Sequence, residues 1–171
     1  MFVNLLQKNF DIAFKEYYTE SEMISDLRFC KKGYSILNNS EYAFCFVSVK
    51  FSLSNEQDYY GIGFWCSNYI FTPNVLLYSN VLIISFDNCI ALFDIENHTE
   101  ITTHTFSYPI EHLELYNNTV IAISELDFIQ MNLNGDILSE HPFDTSMESY
   151  EFVENKLICH TEKGKLEYKI S

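Results

Sequence analysis

The sequence predicts a mainly β protein built from antiparallel meanders, with a helical N-terminal segment. Three observations carry this. The hydrophobic period changes from 3.6 to 2 after Gly33. Beyond residue 75 short apolar runs alternate with turn-forming Asn, Gly, Ser and Asp. Finally, the last two-thirds of the chain repeats itself at a spacing of 37 to 39 residues.

In chain order, Leu6, Phe10, Ala13, Phe14 and Tyr17 fall at i, i+4, i+7, i+8 and i+11, one apolar face of an amphipathic helix. Thr19-Glu20-Ser21-Glu22 offers a capping box before Met23, Leu27 and Cys30, and Lys31-Lys32-Gly33 reads as a basic last turn with a glycine stop. Residues 1–33 are therefore expected as a helical segment of a single domain, with antiparallel β repeats over 34–171. Residues 41–53 place Ala43, Cys45, Val47, Val49, Phe51 and Leu53 on one face, opposite Tyr42, Phe44, Phe46, Ser48 and Lys50. After a polar loop at 54–58, Tyr60, Ile62, Phe64 and Cys66 alternate against Tyr59, Gly61, Gly63 and Trp65, which predicts a hairpin. Glycine inside such a strand marks twist or close packing more often than a nucleotide loop.

The repeat is legible residue by residue. His104-Thr105-Phe106 returns as His141-Pro142-Phe143, and the segment from Ile110 to Leu115 returns as Met147 to Phe152. Asn118-Thr119-Val120 returns as Asn155-Lys156-Leu157, and Ile129-x-Met131-x-Leu133 as Leu166-x-Tyr168-x-Ile170. The run from Val81 to Ser85 aligns with Val120 to Ser124, and Leu37-Asn38-Asn39-Ser40 faintly echoes Tyr116-Asn117-Asn118-Thr119. Asn134-Gly135 is expected to close a type I′ hairpin, and Glu162-Lys163-Gly164 its counterpart in the last unit. Units of about 37–41 residues with four short strands resemble the blades of WD40-type and quinoprotein-type propellers in length and strand count. The Trp-Asp and Gly-His signatures of the former are absent. The units are compatible with a small closed propeller or with an open curved stack.

Composition bounds the function. Of 171 residues, 47% are hydrophobic and 16% aromatic, enough to bury a core without disulfides. The N-terminus lacks the pattern of a signal peptide, and apolar runs such as Val81-Leu82-Ile83-Ile84 fall far short of the ~18 residues of a membrane span. Cys30, Cys45, Cys66, Cys89 and Cys159 are odd in number, without metal-knuckle spacing and set among apolar neighbours. A reducing cytoplasmic setting follows, with no membrane association. The net charge is −14, and residues 51–155 hold 16 Asp and Glu without one Lys or Arg. A negative field over so long a stretch repels nucleic acid and attracts a cationic protein.

Catalytic constellations are not found. Gly61-Ile62-Gly63 lacks the third glycine of a dinucleotide loop, and neither a phosphate loop nor G-x-S-x-G occurs. Among His98, His104, His112, His141 and His160, a zinc site would need His104, His141 or His112 to converge with a carboxylate such as Glu111. His104 and His141 are repeat-equivalent instead, so structural roles are expected. Cys159-His160 are adjacent and point to opposite faces of a strand. Glu111 and Glu114, like Glu148 and Glu151, are three apart, which in a regular strand places them on opposite faces. The expectation is a non-enzyme without metal or cofactor.

A small, acidic, β-rich chain rich in Asn, Ile, Phe, Tyr and Ser, with no catalytic constellation, resembles the immunity proteins of bacterial toxin–immunity systems, including those of contact-dependent growth inhibition. The resemblance is one of character along the whole chain. It implies tight binding to a cognate toxin domain, often a basic nuclease, in the cytoplasm of the producing cell. The rival is a propeller-like interaction scaffold without a toxin partner. The candidate contacts to a Lys/Arg-rich toxin face are a subset of the acids at repeat positions and turns, Asp94, Glu96, Glu111, Glu114, Glu125, Asp127, Asp144, Glu148 and Glu151, with Tyr116 or Tyr150 as an aromatic anchor.

Overall fold

The computed structural model describes residues 4–5, 10–37, 44–53, 58–66 and 73–170. Leu6, residues 38–43, the 54–57 loop and the side chain of Leu53 lie outside what is described. The chain divides into two compact units, Met1–Thr105 and Phe106–Ser171.

The first unit holds nine strands and the only helix among the described residues. These are β1 (Asn4–Leu5), β2 (Phe10–Tyr17), α1 (Glu20–Leu27), β3 (Tyr34–Leu37), β4 (Cys45–Leu53), β5 (Tyr60–Cys66), β6 (Asn74–Tyr78), β7 (Val81–Phe86), β8 (Cys89–Asp94) and β9 (Thr99–Thr105). One sheet runs β2-β4-β5-β3, with β3 parallel to β5 and the other pairs antiparallel. The other is the meander β6-β7-β8-β9, with β1 added in parallel at the β6 edge. The predicted hairpin of β4 and β5 forms in register from Cys45 opposite Cys66 to Phe51 opposite Tyr60.

The first apolar pattern is a strand over Phe10–Tyr17, which corrects the helical expectation for that part of residues 1–33, while Glu20–Leu27 is helical as expected. β2 pairs with β4 along eight residues, from Phe10 opposite Leu53 to Tyr17 opposite Phe46. Phe10, Ile12 and Phe14 also satisfy a period of two, and Ile12 and Phe14 pack on the core between the two sheets. Pairing with a long neighbouring strand and burial of one face give this segment contacts that a short isolated helix lacks, so tertiary pairing decides.

Helix begins only where its cap begins. The Thr19 side chain accepts from Glu22 N at 3.3 Å, and Glu22 Oε2 accepts from Thr19 N at 3.2 Å. The helix stops at Leu27 with Arg28 as its C-cap and no basic residue in its last turn, well short of Lys31-Lys32-Gly33. Gly33 instead takes φ +101 in the turn leading to β3. Met23, Leu27 and Cys30 pack with Tyr17 against Ile36, Phe46, Tyr59 and Trp65. The opposite face of β4 and β5 buries Val47, Val49, Phe51, Ile62 and Phe64 against Val75, Leu77, Leu82, Ile84 and Phe93 of the meander.

A polar knot fastens α1 to the sheet. The Tyr17 hydroxyl donates to the Asp26 carboxylate and shares a hydrogen bond with Ser48 Oγ at 2.8 Å. Lys50 Nζ donates to Asp26 Oδ2 at 2.8 Å, and Lys15 Nζ lies 3.5 Å from the same oxygen. Burial pushes the Asp26 carboxyl up, but the hydrogen bonds from Lys50 and Tyr17 and the charges of Lys50 and Lys15 outweigh it, so its pKa sits below the ordinary value. A depressed carboxyl contributes stability above its unfolded pKa and loses it as pH falls through the folded one. Asp26→Asn is therefore less stable than the parent at neutral pH. The gap between them narrows below about pH 4, which urea unfolding across a pH series measures.

The second unit is a run of seven strands: β10 (Ile110–Tyr116), β11 (Thr119–Ser124), β12 (Asp127–Asn132), β13 (Ile137–Pro142), β14 (Met147–Val153), β15 (Lys156–Thr161) and β16 (Gly164–Lys169). They form a four-stranded antiparallel meander, β10 to β13, and a three-stranded one, β14 to β16. Ile121, Ile123 and Phe128 of the first pack with Leu157 and Cys159 of the second.

The chain is thus mainly β, made of blade-like antiparallel meanders with one short helix near its start. The repeat is also visible in backbone detail. Ser79 and Glu154 both take positive φ, 55° and 54°, in the first hairpin turn of their meanders. The Asn after each uses its carbonyl alike: Asn80 O accepts from Ile95 N, and Asn155 O from Ile170 N, both at 3.0 Å. Between them, Asn117 and Asn118 take φ 48° and 62°, the type I′ signature. Asn134-Gly135 is not type I′. Only Gly135 has positive φ, and Gly135 N donates to Asn132 O at 3.1 Å, a type I turn followed by a left-handed glycine. Likewise Gly164 alone takes positive φ at the 162–164 turn. The hairpins β6–β7 and β10–β11 close at Tyr78 opposite Val81 and Tyr116 opposite Thr119. Val81 therefore corresponds to Thr119, one residue off the sequence alignment with Val120, and a one-residue slip exchanges faces.

Candidate partner-binding site

Within the second unit, β10 and β14 each carry one β-bulge at the same repeat position. Ile110 pairs with Ser124 and His112 with Ile123, so Glu111 is the extra residue. Met147 pairs with Thr161 and Ser149 with His160, so Glu148 is its equivalent 37 residues on. A bulge resets the alternation of side chains. Ile110 and Leu113, three apart, are accordingly both buried, and the expectation that Glu111 and Glu114 point to opposite faces does not hold. In this way the repeated E-x-x-E motif presents its acids on the exposed and half-buried side of a first strand.

Side chains of β10 and β14 meet. Tyr150 Oη donates to Glu114 Oε1 at 2.9 Å, the His112 ring lies 4.8 Å from that of Tyr150, and Tyr116 stacks on Phe152 at 5.1 Å with 13° between planes. Burial, then the hydrogen bond to Glu114 and its negative charge, push the Tyr150 hydroxyl well above the ordinary tyrosine range. It stays a neutral donor at any physiological pH. Tyr116 and Tyr150 are half-buried and packed against the core of the unit. Tyr150→Phe leaves the half-buried Glu114 without its donor and is expected to destabilise by ~1–3 kcal/mol. Adding Glu114→Gln, which removes the charge, recovers part of that loss in chemical denaturation.

A second group sits on connections. Ser146 Oγ donates to Glu125 Oε1 at 2.6 Å, Met147 N donates to Glu125 O at 3.0 Å, and the Ser124 hydroxyl donates to the Asp127 carboxylate. Glu111 bulges out opposite the step from Ile123 to Ser124. Asp144 is exposed on the segment between β13 and β14. Glu151 Oε1 lies 3.6 Å from His160 Nε2.

In the first unit Asp94 organises its own turn. Its Oδ1 accepts from Glu96 N at 2.8 Å and Asn97 N at 3.0 Å, and Oδ2 accepts from Asn97 Nδ2 at 2.7 Å. The hydrogen bonds from Asn97 hold its carboxyl below the usual range. Glu96 is exposed beside it. Of the eleven candidate residues, Glu96, Glu111, Asp144 and Glu148 are exposed with no side-chain partner among the described residues. Each of the others, Glu125 and Glu151 still exposed among them, has a side-chain partner within its unit.

Several of the remaining histidines and all of the cysteines pack inside the fold. His141 stacks between Phe128, at 5.0 Å, and Tyr168, at 4.7 Å, while His98 stacks on Tyr60 at 4.8 Å. All five cysteines are buried free thiols. Burial pushes the Cys159 thiol up to about 11, and its neighbour His160 lies on the other face of β15. Among the described residues no three His, Cys, Asp or Glu side chains gather as metal ligands, and no helix is long and apolar enough to cross a membrane. A feature the sequence reading missed is an open groove of about 570 Å³ along α1, flanked by Tyr18 and Phe29, which are 88% and 82% exposed. Two aromatics just outside a capped helix, at positions its apolar face does not use, were the available signal.

No family model matches the chain, and no curated protein sequence matches it. Solved structures similar in fold include Hsv2 of Kluyveromyces lactis, with 11% identity over 79% of this chain and 44% of that one, at a TM-score of 0.46. BamB of Moraxella catarrhalis shows 8% identity over 75% and 40%, at 0.45. Sqt1 of Saccharomyces cerevisiae shows 15% identity over 53% and 28%, at 0.43. The chain spans less than half the length of each.

Proposed function

We propose that the chain is a non-enzymatic protein-binding module whose second unit receives a cationic protein surface. The observation that carries this reading is the pair of bulged first strands, which present Glu111 and Glu148 at equivalent positions within a stretch, 51–155, that contains no Lys or Arg. Bulges are conformations that re-aim a side chain, and carboxylates without a cation among nearby sequence positions attract a basic surface over a long range. The partner class implied by the chain's overall character is a bacterial toxin domain, a basic nuclease above all, which the module would hold inactive.

The test is the rate at which the chain associates with the cationic toxin domain encoded beside its gene. Between about 0.05 M and about 0.5 M salt the association rate constant should fall at least tenfold, because exposed charges are screened beyond ~8 Å already at physiological ionic strength. The dissociation rate should change far less. Loss of nuclease activity on binding supports the immunity reading, and binding with activity retained supports the scaffold reading. An association rate that ignores salt overturns the electrostatic basis of both.

A further inference from the structure

Among the described residues the last meander has three strands, where β6 to β9 and β10 to β13 have four. The β8 strand is flanked by β7 and β9, and β12 by β11 and β13, whereas β16, the third strand of its own meander, has only β15 beside it among the described residues. The burial of the three third strands differs accordingly. Cys89 to Phe93 and Phe128 to Met131 are buried, whereas β16 is exposed at Gly164, Lys165, Leu166, Glu167 and Lys169. A row of unpaired N–H and C=O groups along such an edge is a template for another strand.

The chemistry of this edge is unlike the rest of the second unit. Its four lysines, Lys156, Lys163, Lys165 and Lys169, are its only Lys or Arg residues, and all lie on or between β15 and β16. Glu167 is shared between Lys156, at 2.8 Å, and Lys165, at 3.5 Å, while Lys163 and Lys169 have no such partner among the described residues. Antiparallel self-pairing of β16 centred on Glu167 would set Lys165 against Lys169 and Glu167 against its own copy, which is repulsive. We infer that the free edge of β16 accepts an extended acidic segment of a partner protein, added as the fourth strand of this meander.

The preceding ladders supply the register. Ile90 faces His104 and Phe128 faces His141, so the residue entering opposite Lys165 occupies the position of those histidines. Asp94 faces Thr99, so the residue opposite Lys169 occupies the position of Thr99. An incoming strand with acids at those two places, five residues apart across the bulge of β9, matches both lysines.

This surface is separate from the acid-bearing one proposed above and stands or falls independently of it. The probe is a synthetic peptide of residues 99–106 carrying Thr99→Glu and His104→Glu, compared with one carrying Thr99→Lys and His104→Lys. The full chain should bind the acidic peptide about tenfold or more tightly than the basic one, with amide-exchange protection gained in 164–169. In the Lys165→Glu, Lys169→Glu chain the preference should reverse, and both lysines are exposed enough for that variant to fold. Equal binding of both peptides, binding of neither at millimolar concentration, or protection along β9 or β13 instead overturns the proposal. So does protection of 164–169 that grows with protein concentration alone, which would assign the edge to a second copy.

Discussion

Gly61→Ala is expected to lower the stability of the chain by ~1–3 kcal/mol, the range of an overpacked core. A Cβ built on Gly61 would stand 2.5 Å from Leu27 Cδ2 and 3.0 Å from Cys30 Sγ. Real Cβ contacts are not that short, so something must move. Leu27 is fully buried in the seam between α1 and β5, so its side chain can give way only by displacing packed neighbours. The backbone at Gly61 is not in the left-handed region, so alanine suits its conformation and the loss reports the clash alone. The measurement is a double-mutant cycle in urea. Leu27→Ala by itself opens a cavity costing ~2–5 kcal/mol, but in its presence the new methyl at 61 has room. The double variant should therefore be more stable than the sum of the single effects, with a coupling of at least ~0.5 kcal/mol. Additive losses would mean that α1 does not sit on the glycines of β5 as described. Gly63 repeats the geometry, 2.9 Å from Leu27 Cδ1 and 3.1 Å from Met23.

Those two glycines show how far the sequence could be read. Their alternation with Tyr60, Ile62 and Phe64 predicted a strand whose glycines mark twist or close packing, and the helix that packs there is the one signalled by Thr19 and Glu22. Local chemistry decided both, so both were legible. The start of the chain was not, because Phe10 and Phe14 fit helical and strand periods equally. What selects the strand is β4, some thirty residues away in sequence. The site divides in the same way. Repeat equivalence identified Glu111 with Glu148, but the bulge that re-aims them depends on pairing with β11 and β15 and leaves no mark in a period of two. Glu114, Glu125, Asp127 and Asp94 looked alike as acids near turns. Only the fold shows that Tyr150, Ser146, Ser124 and the turn at Asn97 already engage them. The edge of β16 was hidden for another reason: its sequence aligns with β12, and only the ladder shows that among the described residues β15 alone pairs with it.

Reversing Glu111, Glu125, Asp144 and Glu148 to Lys together should slow association with a cationic partner by ~10–100-fold. All four side chains are exposed, and three have no side-chain partner among the described residues, so the unfolding midpoint should hardly move. Each change adds two positive charges, which takes the net charge from −14 to −6. That shift alone weakens any long-range attraction. A control chain with Asp11, Glu16, Glu100 and Glu140 reversed has the same net charge, with the changes made at exposed positions away from the two bulges. Steering depends on the field near the docking face, because screening removes contributions beyond about one Debye length, ~8 Å at physiological ionic strength. The first set should therefore slow association at least several-fold more than the control set, and the difference should vanish as salt approaches ~1 M, where that length shrinks to ~3 Å. Equal slowing by both sets would leave a generally acidic chain with no defined face. If neither set changes the rate, the cation-free stretch from 51 to 155 serves solubility, and the bulged glutamates of β10 and β14 have no part in recognition.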